Sequence, residues 1–135
     1  MTSKSPRKKI EPSRYRGFCD VAENFYEGAK VAFDYSYYNA AGVLFVHAAI
    51  AYSDAISIKT KGMKIQGENH YEIISLLYDL IPQSDIKKAA LNHLQNIIDQ
   101  KNKLSYSGDV YHKKDIESLR KHFERFKTWA DQLLK

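Results

Sequence analysis

The chain has a single cysteine, Cys19, which excludes an intramolecular disulfide framework and any zinc site built from several thiolates. Cys19 itself reads as a small buried side chain. Three prolines and six glycines in 135 residues leave little of the punctuation that a many-turned β protein or a disordered linker needs. No glycine-rich phosphate loop precedes a helical pattern, and no Glu-x-x-His pair is present, which disfavours a di-iron carboxylate bundle. Long apolar runs are also lacking. The longest, "AAGVLFVHAAIAY", reads as too short and too interrupted for a membrane span, and the opening "MTSKSPRKKIEPSRYR" has no apolar centre of the kind a secretory leader carries. The expectation is a soluble, cytoplasmic protein without membrane contact.

What is present begins with an uneven distribution of charge. Residues 1–16 hold Lys4, Arg7, Lys8, Lys9, Arg14 and Arg16 against Glu11, while the remaining residues balance fifteen basic against fifteen acidic side chains. The whole net charge of +5 therefore sits in the first sixteen residues. This predicts a basic, flexible N-terminal arm, with Arg7, Lys8, Lys9, Arg14 and Arg16 as candidates for phosphate contact, ahead of one domain over 17–135. A solvated terminus is the plainer alternative.

Apolar residues recur three and four apart almost throughout that domain, the period of an amphipathic helix. The spacing predicts helices over about 15–35, 37–59, 69–81 and 85–104, and a last one starting near Asp115. Pro82 ends the third, and "QSD" supplies a cap for the fourth. No segment alternates for long enough to predict a strand. The fold class expected is all-α, an up-and-down bundle of about five helices.

The histidines at 47, 70, 93, 112 and 122 show no metal-ligand spacing, so no metal is expected. His47 lies inside the apolar run, and is either a satisfied core histidine or a group that faces a ligand. Asp54 falls seven residues later on the same helix face, near enough to join a network with it. Asp99 is expected to pair with a neighbouring lysine at the surface.

Three stretches, taken in order, carry a resemblance: "FYEGAKVAFDYSYYNAAGVLFVHAAIAYSDAI" with its central His-Ala-Ala, "KGMKIQGENHYEIISLL" with a glycine loop before a histidine, and "QKNKLSYSGDVYHKKDIESLRKHFERFKTWADQLL". Their order is similar to that of the HEPN superfamily of small helical domains. The ribonucleases of that family place an arginine, often followed by a polar residue, shortly before a histidine at the end of the fourth helix. The arginine stabilises phosphate charge and the histidine moves a proton during metal-independent RNA cleavage. The resemblance sets Lys101 at the arginine, Asn102 at the polar position and Tyr106 at the histidine. Lysine keeps the charge but loses the bidentate fork. Tyrosine as a residue type ionises near pH 10 and is a poor base at neutrality. His112 lies farther from Lys101 than the family's spacing. The resemblance thus implies a diverged, non-catalytic module that binds nucleic acid or a nucleotide, working as a homodimer, without cofactor, in a toxin–antitoxin or defence setting. Lys101, Asn102, Tyr106, His112 and His47 are its candidate ligand residues. Two alternatives stay open: an interaction subunit partnering a nucleotidyltransferase, and a ribonuclease that uses His112. The plain reading of the same corner is a helix end, with Lys101 and Lys103 facing the helix dipole and Ser107 and Gly108 closing it.

Overall fold

A computed structural model describes residues 6–67 and 69–135. The protein is an all-α bundle with one small antiparallel ladder. In chain order the elements are β1 (Arg7–Lys9), a 3-10 turn (Pro12–Arg14), α1 (Tyr15–Asp34), α2 (Tyr38–Lys61), β2 (Met63–Ile65), α3 (Tyr71–Leu80), α4 (Asp85–Asp99), α5 (Lys101–Tyr106) and α6 (Lys113–Leu134).

Helix α2 forms the centre. It packs against α1, α3 and α6, and its buried residues between Ala41 and Ile58 lie on every side of it. Such all-round burial explains its apolar composition. By length and composition α2 does reach the threshold of a membrane-crossing helix, against the expectation from its run length. Yet 83% of its most apolar window is buried inside the bundle. Its alanines let α1 approach closely, and Phe45 and Tyr52 meet Phe123 of α6 at ring-centroid distances of 5.4 and 6.2 Å.

The helix ends have identifiable chemistry. The Tyr37 N–H reaches the Ala32 carbonyl at 2.8 Å and the Ser36 N–H reaches that of Phe33 at 3.0 Å, a Schellman closure of α1. Ser36 holds the left-handed position at φ 64°, where glycine is usual. Gly62 closes α2 in the same conformation, at φ 65°. The Ser84 hydroxyl caps α4 by accepting from the Lys87 N–H at 3.0 Å. The buried Lys87 ammonium donates to the carbonyls of Tyr78 and Ile81, each at 3.0 Å, and so ties the end of α3 to the start of α4.

Two features differ from the sequence expectation. The fourth helix does not run unbroken to Leu104: it ends at Asp99, and α5 begins at Lys101. The cause lies elsewhere in the chain. Leu104 Cδ2 stands 2.5 Å from where a Cβ on Gly42 would be, and Ile116 Cδ1 stands 3.0 Å from it. The missing side chain at 42 lets α5 turn inward onto α2. A strand pair is also present where none was expected. Arg7, Lys8 and Lys9 pair with Ile65, Lys64 and Met63, and the buried Ile10 anchors the segment through its N–H to Gly62 O at 2.8 Å. The part of the basic arm from residue 7 is therefore laid along the bundle rather than free. Residues 1–5, with Lys4, lie outside the described residues.

Candidate functional site

The corner singled out by the sequence is built where α4, α5 and α6 meet the amino-terminal end of α2. Asn39 organises it. Its amide nitrogen donates to the carbonyls of Leu104 at 3.0 Å and Asp109 at 2.9 Å, and its amide oxygen accepts from the Tyr111 N–H at 2.8 Å. One side chain thus fixes the loop that links α5 to α6. Tyr111 is buried, and its hydroxyl donates to Gln100 Oε1 at 2.6 Å. Burial first, then the carboxylates of Asp109 and Asp115, push the Tyr111 pKa up.

Helical projection divides the polar residues from Gln100 to Lys103 between two recesses. Lys101 and Asn102 face the start of α3, in a depression of about 270 Å³ shared with His70, Tyr71 and Asp99. Gln100 and Lys103 face the other way, into a cleft of about 630 Å³ between α4 and α6. Asn96 completes the α4 wall, and Asp115, Ser118 and His122 line the α6 wall. Asp109 and Tyr111 close the end.

The sequence candidates are therefore only partly brought together. Lys101 and Asn102 share one depression. Tyr106 is 83% exposed and borders neither recess. His112 is exposed at the start of α6, where its backbone N–H donates to Asp115 Oδ2 at 2.8 Å. That bond makes His112 the capping residue at the start of α6. Ser107 Oγ bonds the Lys103 carbonyl at 2.6 Å, and Gly108 turns the chain at φ 79°. His47 is half-buried, its ring 5.9 Å from that of Phe25, and desolvation followed by the Lys101 charge lowers its pKa.

Asp54 does not join His47. It pairs with Lys64 at 3.4 Å. Asp99 accepts from the Tyr71 hydroxyl at 2.7 Å and from Gln95 at 3.0 Å, instead of pairing with a lysine. Cys19 is half-buried, and its thiol is pushed away from ionisation by burial first and then by Asp20, Asp131 and Glu23. Among the arm candidates, Arg7, Lys8 and Lys9 are exposed on β1, Arg14 ends the 3-10 turn, and the Arg16 guanidinium lies 5.8 Å from the Tyr15 ring centre.

Sequence reasoning missed the α4–α6 cleft. Its signal was a pair of polar stripes: Asn96, Gln100 and Lys103 across the α4–α5 break, and Asp115, Ser118 and His122 on α6. Each is spaced three and four apart, along the flank of its helix's apolar stripe. It also missed a histidine pair. His93 and His122 approach Nδ1 to Nδ1 at 2.9 Å, so one nitrogen must donate and the other accept. Desolvation, then His122 and Arg125, lowers the pKa of His93. Chemically, the cleft offers an ammonium, amide donors and acceptors, hydroxyls and carboxylates, a mixture suited to holding a polar ligand. Among the described residues no group of three or more His, Cys, Asp or Glu side chains is arranged to hold a metal ion. No family model matches the chain, and no curated protein does either.

Proposed function

We propose that the protein is a non-catalytic, HEPN-like helical module that binds single-stranded nucleic acid or a nucleotide at the α4–α6 end of the bundle. The observation that carries this reading is a stacked pair of exposed tyrosine rings, tied through Asn39 to the loop that closes the polar cleft. Tyr35 and Tyr37 stack on each other at the α1–α2 link, with centroids 6.4 Å apart and planes at 16°, and both are exposed. Asn39, two residues farther on, is bonded directly to the loop that closes the cleft. Tyr106 leads into that same loop. Exposed aromatic faces accept unpaired bases of any sequence, and Lys103 at the cleft supplies positive charge for a phosphate. The separation of Lys101, Tyr106 and His112 supports binding over cleavage, since a base and a charge-stabilising group must share one reacting centre.

The test is fluorescence anisotropy with labelled single-stranded RNA, read alongside a cleavage gel. Binding without cleavage is expected. Tyr37→Ala and Tyr106→Ala should each weaken binding by the loss of one stack, about 1–3 kcal/mol. Intact binding in both variants would refute the aromatic platform, and RNA cleavage abolished by His112→Ala would restore a ribonuclease.

A further inference from the structure

Helix α1 turns a second, chemically different face to the outside. Gly17, Val21, Asn24, Gly28 and Val31 lie along it, separated by alternate steps of four and three residues, the spacing of a helix–helix seam. Val21 is 47% exposed and Val31 57%. Two shallow depressions mark the face. One, of about 530 Å³, lies over Gly17, Phe18 and Val21; the other, of about 430 Å³, lies over Asn24, Gly28 and Val31.

The glycines are not explained by packing within the chain. A Cβ on Gly17 would meet nothing within 4 Å, and one on Gly28 would make only an ordinary contact with Leu44 at 3.4 Å. Glycine inside a helix lowers stability relative to alanine, and Gly28 sits well inside the twenty-residue α1. Where the fold has room for a side chain, its omission favours close approach from outside.

The rim of the seam is acidic, unlike the chain as a whole. Asp20, Glu23 and Glu27 line the depression over Asn24, Gly28 and Val31, and the nearby Lys30 is paired with Glu27 at 2.9 Å. Arg14 and Arg16 stand only at its amino-terminal end. Nucleic acid and anionic lipid are repelled by such a rim. A second copy laid antiparallel on the same face would set these carboxylates, which share one flank of the seam, against their own counterparts. We propose that the outward face of α1 is a docking surface for a basic amphipathic helix of a partner protein, its apolar side seated over Gly17, Val21, Gly28 and Val31 and its lysines or arginines against the acidic rim.

The probe is a synthetic helical peptide of about three heptads with leucine at the seam positions and lysine on both flanks, compared with a peptide carrying glutamate flanks. Isothermal titration should show binding of the lysine peptide only, weakened by added salt. Gly28→Leu and Val31→Glu should each weaken it by about tenfold or more, a loss of about 1.4 kcal/mol. Thermal melting keeps the test sound. Gly28→Leu should leave the melting temperature unchanged or raised, because leucine is the better helix former, so lost binding cannot be ascribed to unfolding. Equal binding of both peptides, no binding of either, or full affinity in both variants would overturn the proposal. A homodimer seen by light scattering and dissociated by Gly28→Leu would overturn it too, by giving the face to a second copy.

Discussion

Two ion pairs stand in different parts of the molecule, and they differ in almost everything except their charges. Asp54 of α2 meets Lys64 of β2 at 3.4 Å, with the carboxylate buried. Lys103 of α5 meets Asp109 at 4.0 Å, with both side chains more than half exposed. The first lies under the strand ladder, where Lys64 also approaches the Phe18 ring at 5.5 Å. The second lies at the mouth of the polar cleft. Burial makes a charge costly and its partner indispensable, whereas water screens an exposed pair and leaves each member free to be recruited by something else. The ladder end thus carries a costly charge held by one fixed partner, and the cleft end a pair free to exchange partners.

The largest expected effect breaks this contrast at the buried side. Burial pushes the Asp54 carboxyl up to about 6 despite the opposing influence of Lys64. A raised carboxyl pKa means that the folded state holds the proton more tightly than the unfolded chain. The stability contributed by this group is present in full below its ordinary value of about 4 and is lost as pH rises through about 6. Asp54→Asn imitates the protonated form. It should stabilise the protein at pH 7.5 by on the order of 2–3 kcal/mol, with an advantage that shrinks towards pH 4. Urea denaturation of both proteins between those pH values checks it. A constant difference across the range would show that Asp54 is not the titrating group.

Next in size is a change at the opposite end. Asn39→Ala removes three hydrogen bonds that hold the α5–α6 loop. At about 1 kcal/mol net for each, the loss is roughly 2–3 kcal/mol, less whatever water restores. The effect should be local. The Tyr111 amide should exchange its hydrogen much faster, while the amides of α2 beyond Ala48 should change little. Uniform acceleration along the chain would mean that the corner and the core unfold as one unit.

These two residues also show how far the sequence can be read. Helical periodicity located α1, α2, α3 and α6 to within about two residues, because each carries an uninterrupted apolar stripe. The break at Gln100 was not legible. Nothing local stops the helix there; it turns because Gly42, far away in sequence, leaves space for Leu104. The ladder escaped notice because three residues on each side are too few to display alternation. Asp54 and His47 do lie on one helical face, yet helical periodicity says nothing about β2, which supplies Lys64. At the corner, residue types were legible and their directions were not. Lys101 and Lys103, two residues apart on α5, project from opposite sides of it, and only the packing of α3 and α6 around them shows which recess each enters.

A smaller effect is expected at the α1–α2 link, where Ser36 holds φ 64°. Glycine takes that conformation without the steric cost that a Cβ brings. Ser36→Gly should raise stability by about 0.5–1 kcal/mol, unless the Tyr38 hydroxyl, 3.3 Å from Ser36 Oγ, offsets part of the gain. Chemical denaturation decides the sign. A destabilised variant would show that the serine hydroxyl outweighs its backbone strain.

The smallest stability effect sharpens the comparison most. A double-mutant cycle on Lys103 and Asp109 should return a coupling of roughly 0–0.5 kcal/mol, because both side chains keep most of their hydration and the 4.0 Å separation is loose. Ligand binding should respond differently. If Lys103 neutralises one phosphate of a bound single strand, Lys103→Ala should weaken binding and reduce the slope of log K against log salt by about 0.7. Asp109→Ala should do the reverse in affinity, since it removes both a competing partner for Lys103 and a repulsive charge at the cleft mouth. Opposite changes in affinity from two substitutions of negligible cost to folding would identify the exposed pair as a gate on the cleft. Parallel losses of affinity would show instead that the Asp109 carboxylate itself serves the ligand or the loop, since the backbone carbonyl that Asn39 grips at 2.9 Å is unchanged in the variant.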